Sequence, residues 1–161
     1  MRFGEDIDLS IRIFEAGYKC RVFPEAWVWH KRRTDLVKFF RQVHNSGIAR
    51  INLSKRHPGT LKAVHLLPAA FTIGLALLLL GAPFCKWSLL PILLYALLLF
   101  CDSALKHRDC GTGEALKIGA ISVAAAFVQL TGYGSGFIRA WWERCILGKP
   151  EFDAFRKNFY K

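Results

Sequence analysis

Residues 118–138, IGAISVAAAFVQLTGYGSGFI, contain no charged side chain. Two other runs share this property: 63–85, with His65 neutral, and 87–101. A helix of about 20 apolar residues crosses a hydrocarbon core about 30 Å thick. Three such runs in 161 residues give more continuous apolar surface than one soluble core uses. Charge is distributed to match. Residues 1–65 hold 13 of the 23 Lys and Arg and 6 of the 12 Asp and Glu. A polar, basic segment followed by uncharged runs reads as a membrane protein with a cytosolic part. Extending the second run to Leu105, with Asp102 near its end, gives spans at about 64–83, 87–105 and 116–137.

Only Ala82-Pro83-Phe84-Cys85-Lys86 separates the first two spans. That length allows a tight turn, so 61–105 is expected to be a transmembrane helical hairpin. Lys55, Arg56 and Lys62 precede it, and Lys106, Arg108 and Lys117 follow it, whereas Lys86 stands alone in the turn. The positive-inside rule then puts 1–62 and 106–117 in the cytosol. Three crossings would carry 139–161 to the far side. Yet that tail holds Arg139, Arg144, Lys149, Arg156, Lys157 and Lys161. Gly132-Tyr133-Gly134-Ser135-Gly136 offers either close packing or a break that turns the third helix along or back into the membrane. The sequence leaves the side of the tail open.

Other classes fit less well. Aromatic residues make up 14% of the chain and low-complexity tracts are absent, which argues against disorder. Glu5, Asp6, Asp8 and Glu15 occupy the place where a secretory signal would need an apolar stretch. Cys20, Cys85, Cys101, Cys110 and Cys145 are odd in number and lack C-x-x-C spacing, so reduced, packed cysteines are expected. The net charge of +11 comes from basic residues flanking apolar spans, the pattern of anchoring at an anionic inner leaflet. No nucleic-acid-binding signature accompanies it, and no nucleic-acid partner is expected.

The first sixty residues carry mixed signals. In 5–16, Ile7, Ile11 and Phe14 form a helical stripe and Glu5, Asp6 and Asp8 crowd the first turn, where the helix dipole favours anions. Gly17 is a natural stop. YKCRVF and AWVWH, broken by Pro24, read as strands over 18–23 and 26–30. Thr34-Asp35 offers an N-cap for a helix over about 34–55. Its apolar face and its arginines suit an amphipathic helix in the membrane interface. Gly47 weakens its middle, and His57-Pro58-Gly59 ends it.

The string GEDIDLSIRIFEAGYKCRVFPEAWVWH resembles the acceptor-side segment of inverting family-2 glycosyltransferases. The likeness runs through Gly4-Glu5-Asp6, Asp8-Leu9, Arg12, Ala16-Gly17-Tyr18, Pro24-Glu25-Ala26 and Val28 to His30. It is nearest in layout to membrane-anchored enzymes that build bacterial surface polysaccharides, in which a basic, aromatic segment and transmembrane helices follow the catalytic domain. The resemblance implies a fold class: three transmembrane helices preceded by a small α/β remnant of a nucleotide-sugar-binding A-type domain. Residues 1–33 would be the catalytic piece, 34–62 the interface helix, 63–138 the spans and 139–161 a basic interfacial tail.

It also implies roles. Asp6 matches the catalytic base that takes the proton of the acceptor hydroxyl as that oxygen attacks the anomeric carbon. A helix start fixes such a base in place. Glu5 would support it. Arg12 would either anchor the carboxylates or simply pair with Asp8 at i+4. His30 sits where some relatives place a ligand for the nucleotide-bound Mg or Mn, although a lone His after Trp is commonly a packing residue. Gln42 and Arg50 stand where many relatives have Gln-x-x-Arg-Trp for the donor diphosphate and the acceptor, but the Trp and the spacing are missing. The donor-binding strand, the Asp-x-Asp motif and most of the parallel sheet have no counterpart in 1–161. The expectation is therefore the C-terminal part of a larger enzyme, from a truncated frame or a partial gene. Alone it would be inactive and bind no metal. The full-length form would use a nucleotide sugar, a glycan or lipid-linked acceptor and membrane lipid at the bacterial inner membrane. The competing expectation is a small integral membrane protein with a structural or docking role.

Overall fold

The structure, a computed structural model, describes residues 4–29 and 35–151. Five α-helices follow in order: α1 Glu5–Glu15, α2 Leu36–Arg56, α3 Leu67–Gly81, α4 Leu90–Lys106 and α5 Thr112–Trp141. Short 3-10 turns at Ala63–Leu66 and Lys86–Leu89 lead into α3 and α4, and a π turn over Trp142–Ile146 prolongs α5. Among the described residues three stretches are long and apolar enough to cross a membrane: Ala63–Gly81, Lys86–Lys106 and Thr112–Ile146.

Local chemistry explains the helix starts. The Asp35 carboxylate accepts from the Val37 and Lys38 N–H groups at 2.7 and 3.0 Å, capping α2. Those two N–H groups also hold the Asp35 carboxyl below its ordinary range. Pro68 and Pro91 each lie in a first helical turn, where a missing N–H costs no internal hydrogen bond.

No strand forms among the described residues, so the expected α/β remnant is not supported. Residues 18–23 and 26–29 have no regular secondary structure, on either side of a turn in which Ala26 N–H donates to the Phe23 carbonyl at 3.0 Å. The physical reason is the lack of a partner. Val22 is 87% exposed and Trp29 91%, so neither face of this segment meets a packing surface.

The glycine run of α5 does not break the helix. It is the packing surface. Gly132 lies under Phe40 and Val43 of α2, where an added Cβ would come within 2.5 Å of Val43 Cγ2. A Cβ on Gly136 would lie 2.8 Å from the His44 carbonyl carbon, and one on Gly134 would lie 2.8 Å from that of Pro68 in α3. Gly47 provides the matching flat spot on α2, where a Cβ would sit 2.8 Å from the Phe137 nitrogen. Small residues thus let three backbones approach closely. Ile48, Ile51, Ala69, Phe137 and Ala140 form the buried core at this junction, with Tyr133 and Ile138 against it. α2 is therefore packed on α5 as well as amphipathic.

Elsewhere the apolar helices show their leucines outward: Leu77, Leu80 and Leu98 are all exposed, as lipid-facing side chains would be. Phe71, Tyr95 and Phe127 join α3, α4 and α5 through ring contacts of 5.5–5.7 Å between centroids. The Ser103 and Ser122 hydroxyls meet at 2.7 Å between α4 and α5. Thr72 Oγ1 donates to the Pro68 carbonyl at 2.8 Å and lies 3.3 Å from that of Leu130. All five cysteines are free and exposed, not packed as expected.

From Thr112 to Ile146 the helix runs 35 residues, about 50 Å at 1.5 Å per residue. It outlasts a hydrocarbon core of about 30 Å. Its C-terminal half carries α2. At the far end of that contact, Arg56 binds Glu151 at 2.7 Å, so 144–151 lies beside the end of α2.

Candidate functional site

The acidic start of α1 follows Gly4, whose φ of 74° places it in the left-handed region that glycine adopts without strain. Glu5, Asp6 and Asp8 share the first turn but diverge in space. Two residues apart on a helix is more than half a turn, so Asp6 and Asp8 point to different sides. Asp6 is exposed, and its carbonyl accepts from Ser10 Oγ at 2.8 Å. Asp8 is 8% exposed and faces the end of α2.

There His57 Nε2 lies 2.8 Å from Asp8 Oδ1, and His57 Nδ1 lies 3.3 Å from Glu15 Oε1. Arg12 Nε sits 3.3 Å from Asp8 Oδ2, with its own side chain 61% exposed. Arg12 is thus the i+4 partner of Asp8. Glu5, Asp8, Arg12, Arg56 and His57 line an open cleft of about 440 Å³. The hydrogen bond to His57, then Arg12 and Arg56, hold the Asp8 carboxyl below its ordinary range against the opposing effect of desolvation. The same bond to Asp8, aided by Glu15, pushes His57 up.

The other expected residues are scattered. Glu5 reaches the cleft, whereas Asp6 does not line it. Gln42 is exposed on α2, and its carbonyl accepts from Ser46 Oγ at 3.1 Å. Arg50 lies two turns further on, with its charge beside Tyr133 of α5. His30 lies outside the described residues. Among the described residues no group of three His, Cys, Asp or Glu side chains could hold a metal ion.

Two histidines acquire roles that the sequence did not announce. His57 read only as part of a helix-ending His-Pro-Gly. Its partners are 49 and 42 residues away, and no local spacing reveals them. His44 is half-buried between α2 and α5, 3.1 Å from Ser135 Oγ. Burial, then the Arg139 charge, pushes its pKa down. No protein-family model matches the chain, and no curated protein or solved structure shows significant similarity to it.

Proposed function

We propose that the chain is the acceptor-side and membrane-anchoring part of an inverting, family-2-like glycosyltransferase. In this reading it acts at the cytosolic face of a bacterial inner membrane. A sugar passes from a nucleotide donor to a lipid-linked or polysaccharide acceptor, and residues 1–161 must be combined with a donor-binding domain for transfer to occur. The observation that carries the reading is the docking of α1 on His57, six residues before the first apolar helix begins at Ala63. In this reading it would keep Glu5 and Asp6 near the membrane surface, where the hydroxyl or phosphate of a lipid-linked acceptor would present itself. Asp6, exposed at the helix start, is open to an acceptor hydroxyl as a general base must be.

The test joins residues 1–161 to the nucleotide-sugar-binding domain of a family-2 enzyme and follows sugar transfer in membranes. Asp6→Asn keeps the side chain's shape but cannot accept the acceptor's proton. It should lower transfer by about 10²–10⁴-fold while leaving donor binding unchanged. Glu5→Gln should cost less. Equal activity in Asp6→Asn would sink the assignment.

A second reading, a membrane protein that docks a partner without catalysis, is favoured by the exposure of Tyr18, Val22, Phe23, Trp27, Val28 and Trp29. Transfer that depends on Asp6 would separate the first reading from it.

A further inference from the structure

The junction between α1 and α2 has a geometry that depends on a proton. An ionised carboxylate only accepts hydrogen bonds, and a neutral imidazole has a single N–H to give. His57 nevertheless faces a carboxylate with each ring nitrogen, Asp8 at 2.8 Å and Glu15 at 3.3 Å. Only the imidazolium donates to both. In the neutral ring one nitrogen turns a lone pair toward a carboxylate oxygen, and that contact becomes repulsive.

Among the described residues little else holds α1 in place. Asp8 is its one buried residue, while on its apolar stripe Phe14 is 56% exposed, Ile7 is exposed and Ile11 is only partly covered. The helix therefore attaches through a charged cluster instead of a hydrophobic seam. The other charges around it are accounted for. Arg12, on α1, binds Asp8. Glu5, also on α1, lines the cleft. Arg56, on α2, favours ionised Asp8, opposes a second cation beside it, and is itself paired with Glu151.

We propose that His57 is a proton-operated latch: its imidazolium clamps α1 to the end of α2, and loss of that proton frees α1 from the helical bundle. The latch stands whether or not Asp6 serves as a base.

The pH window follows from the direction of each shift. His57 is raised above its ordinary 6.5 by Asp8 and then Glu15, so its contribution is complete below 6.5 and is lost as pH rises through the raised value. Asp8 is lowered from 3.8, so its contribution holds above that value and is lost only as pH falls through the lowered one. The helix is thus clamped in mildly acidic to neutral conditions and released in alkali.

The experiment uses the full chain in lipid nanodiscs, with native cysteines replaced by serine. Spin labels at Leu9→Cys and Ser46→Cys, both exposed positions, report the distance between α1 and α2. A narrow distance peak is expected at about pH 6 and its loss at about pH 9, across a range in which imidazoles change charge and carboxylates do not. His57→Gln, with no titrating proton, should lack the narrow peak at both values. His57→Arg, permanently charged and with several N–H donors, should keep it at both. An unchanged peak in the unsubstituted chain across this range would overturn the proposal, as would a pH response that survives in His57→Gln.

Discussion

The Lys55 ammonium donates to the Arg144 carbonyl at 2.7 Å, which sets the last turn of α2 against the end of the apolar helix that began at Thr112. Between these two residues the chain passes through three helices long and apolar enough to cross a membrane. Three complete crossings would leave Lys55 and Arg144 on opposite sides. Their hydrogen bond requires one side, so at least one of the three stretches stops short of a full traverse. The contact would put the basic residues of the tail on the same side as those before Ala63, the arrangement that the positive-inside rule favours. A membrane-impermeant thiol reagent checks this in single-cysteine variants. Cys145 and Lys62→Cys should label from the same side of intact vesicles. Labelling from opposite sides would refute the shared placement.

The α2–α5 seam makes a second prediction, with a sign that propensity alone gets wrong. Alanine favours a helix over glycine by about 1 kcal/mol. At Gly47, however, a Cβ would run into the Tyr133 carbonyl oxygen and lie 2.8 Å from the Phe137 nitrogen. Both obstacles are backbone and cannot rotate away. Overpacking of this kind costs about 1–3 kcal/mol. Gly47→Ala should therefore lower the thermal midpoint of the detergent-solubilised chain. Gly74→Ala serves as the control, because a Cβ there meets nothing within 4 Å. It should leave the midpoint unchanged or raise it. A Gly47→Ala midpoint at or above the parent value would mean that the helices are not in contact there.

Features governed by near neighbours were legible in the sequence. The Asp35 cap depends on N–H groups two and three residues ahead, and the spans depend on runs of their own residues. Features decided by distant partners were not. Glycine lowers helix stability and also permits close approach, so the run 132–136 could be read as a break until Phe40, Val43, His44 and Pro68 supplied the surfaces that need it. Tyr18 to Trp29 has strand-forming residues, but pairing requires a neighbouring strand, and none forms among the described residues. The site divided in the same way. Glu5 and Asp8 were marked by their position at a helix start. The histidine that binds Asp8 lay 49 residues away, and Asp6, chosen for its motif, lies outside the cleft.

The contrast between the two ends of the fold gives the last prediction. Amide exchange reports how much structure must open before water reaches each N–H. Among the described residues, the backbone bonds of 18–29 are few: Tyr18 N–H donates back to the Ile13 carbonyl of α1 at 3.1 Å, and Ala26 N–H to that of Phe23 at 3.0 Å. The large side chains over that stretch are exposed, so nothing apolar has to be uncovered to break those bonds. α1 is intermediate: its N–H groups are in helical bonds, yet Asp8 is its one buried side chain. Around Gly132–Ala140 the helical bonds of α5 are covered by α2, with Phe137 and Ala140 at 4% and 3% exposure. Exchange should therefore be fastest in 18–29, slower in 5–15, and slowest in 132–140. The measurement is hydrogen–deuterium exchange of the full chain in nanodiscs, resolved by peptide. Protection of 18–29 comparable to that of 132–140 would show that the segment is covered, either by the bilayer or by another copy of the chain, and would remove the basis for calling its aromatic side chains exposed.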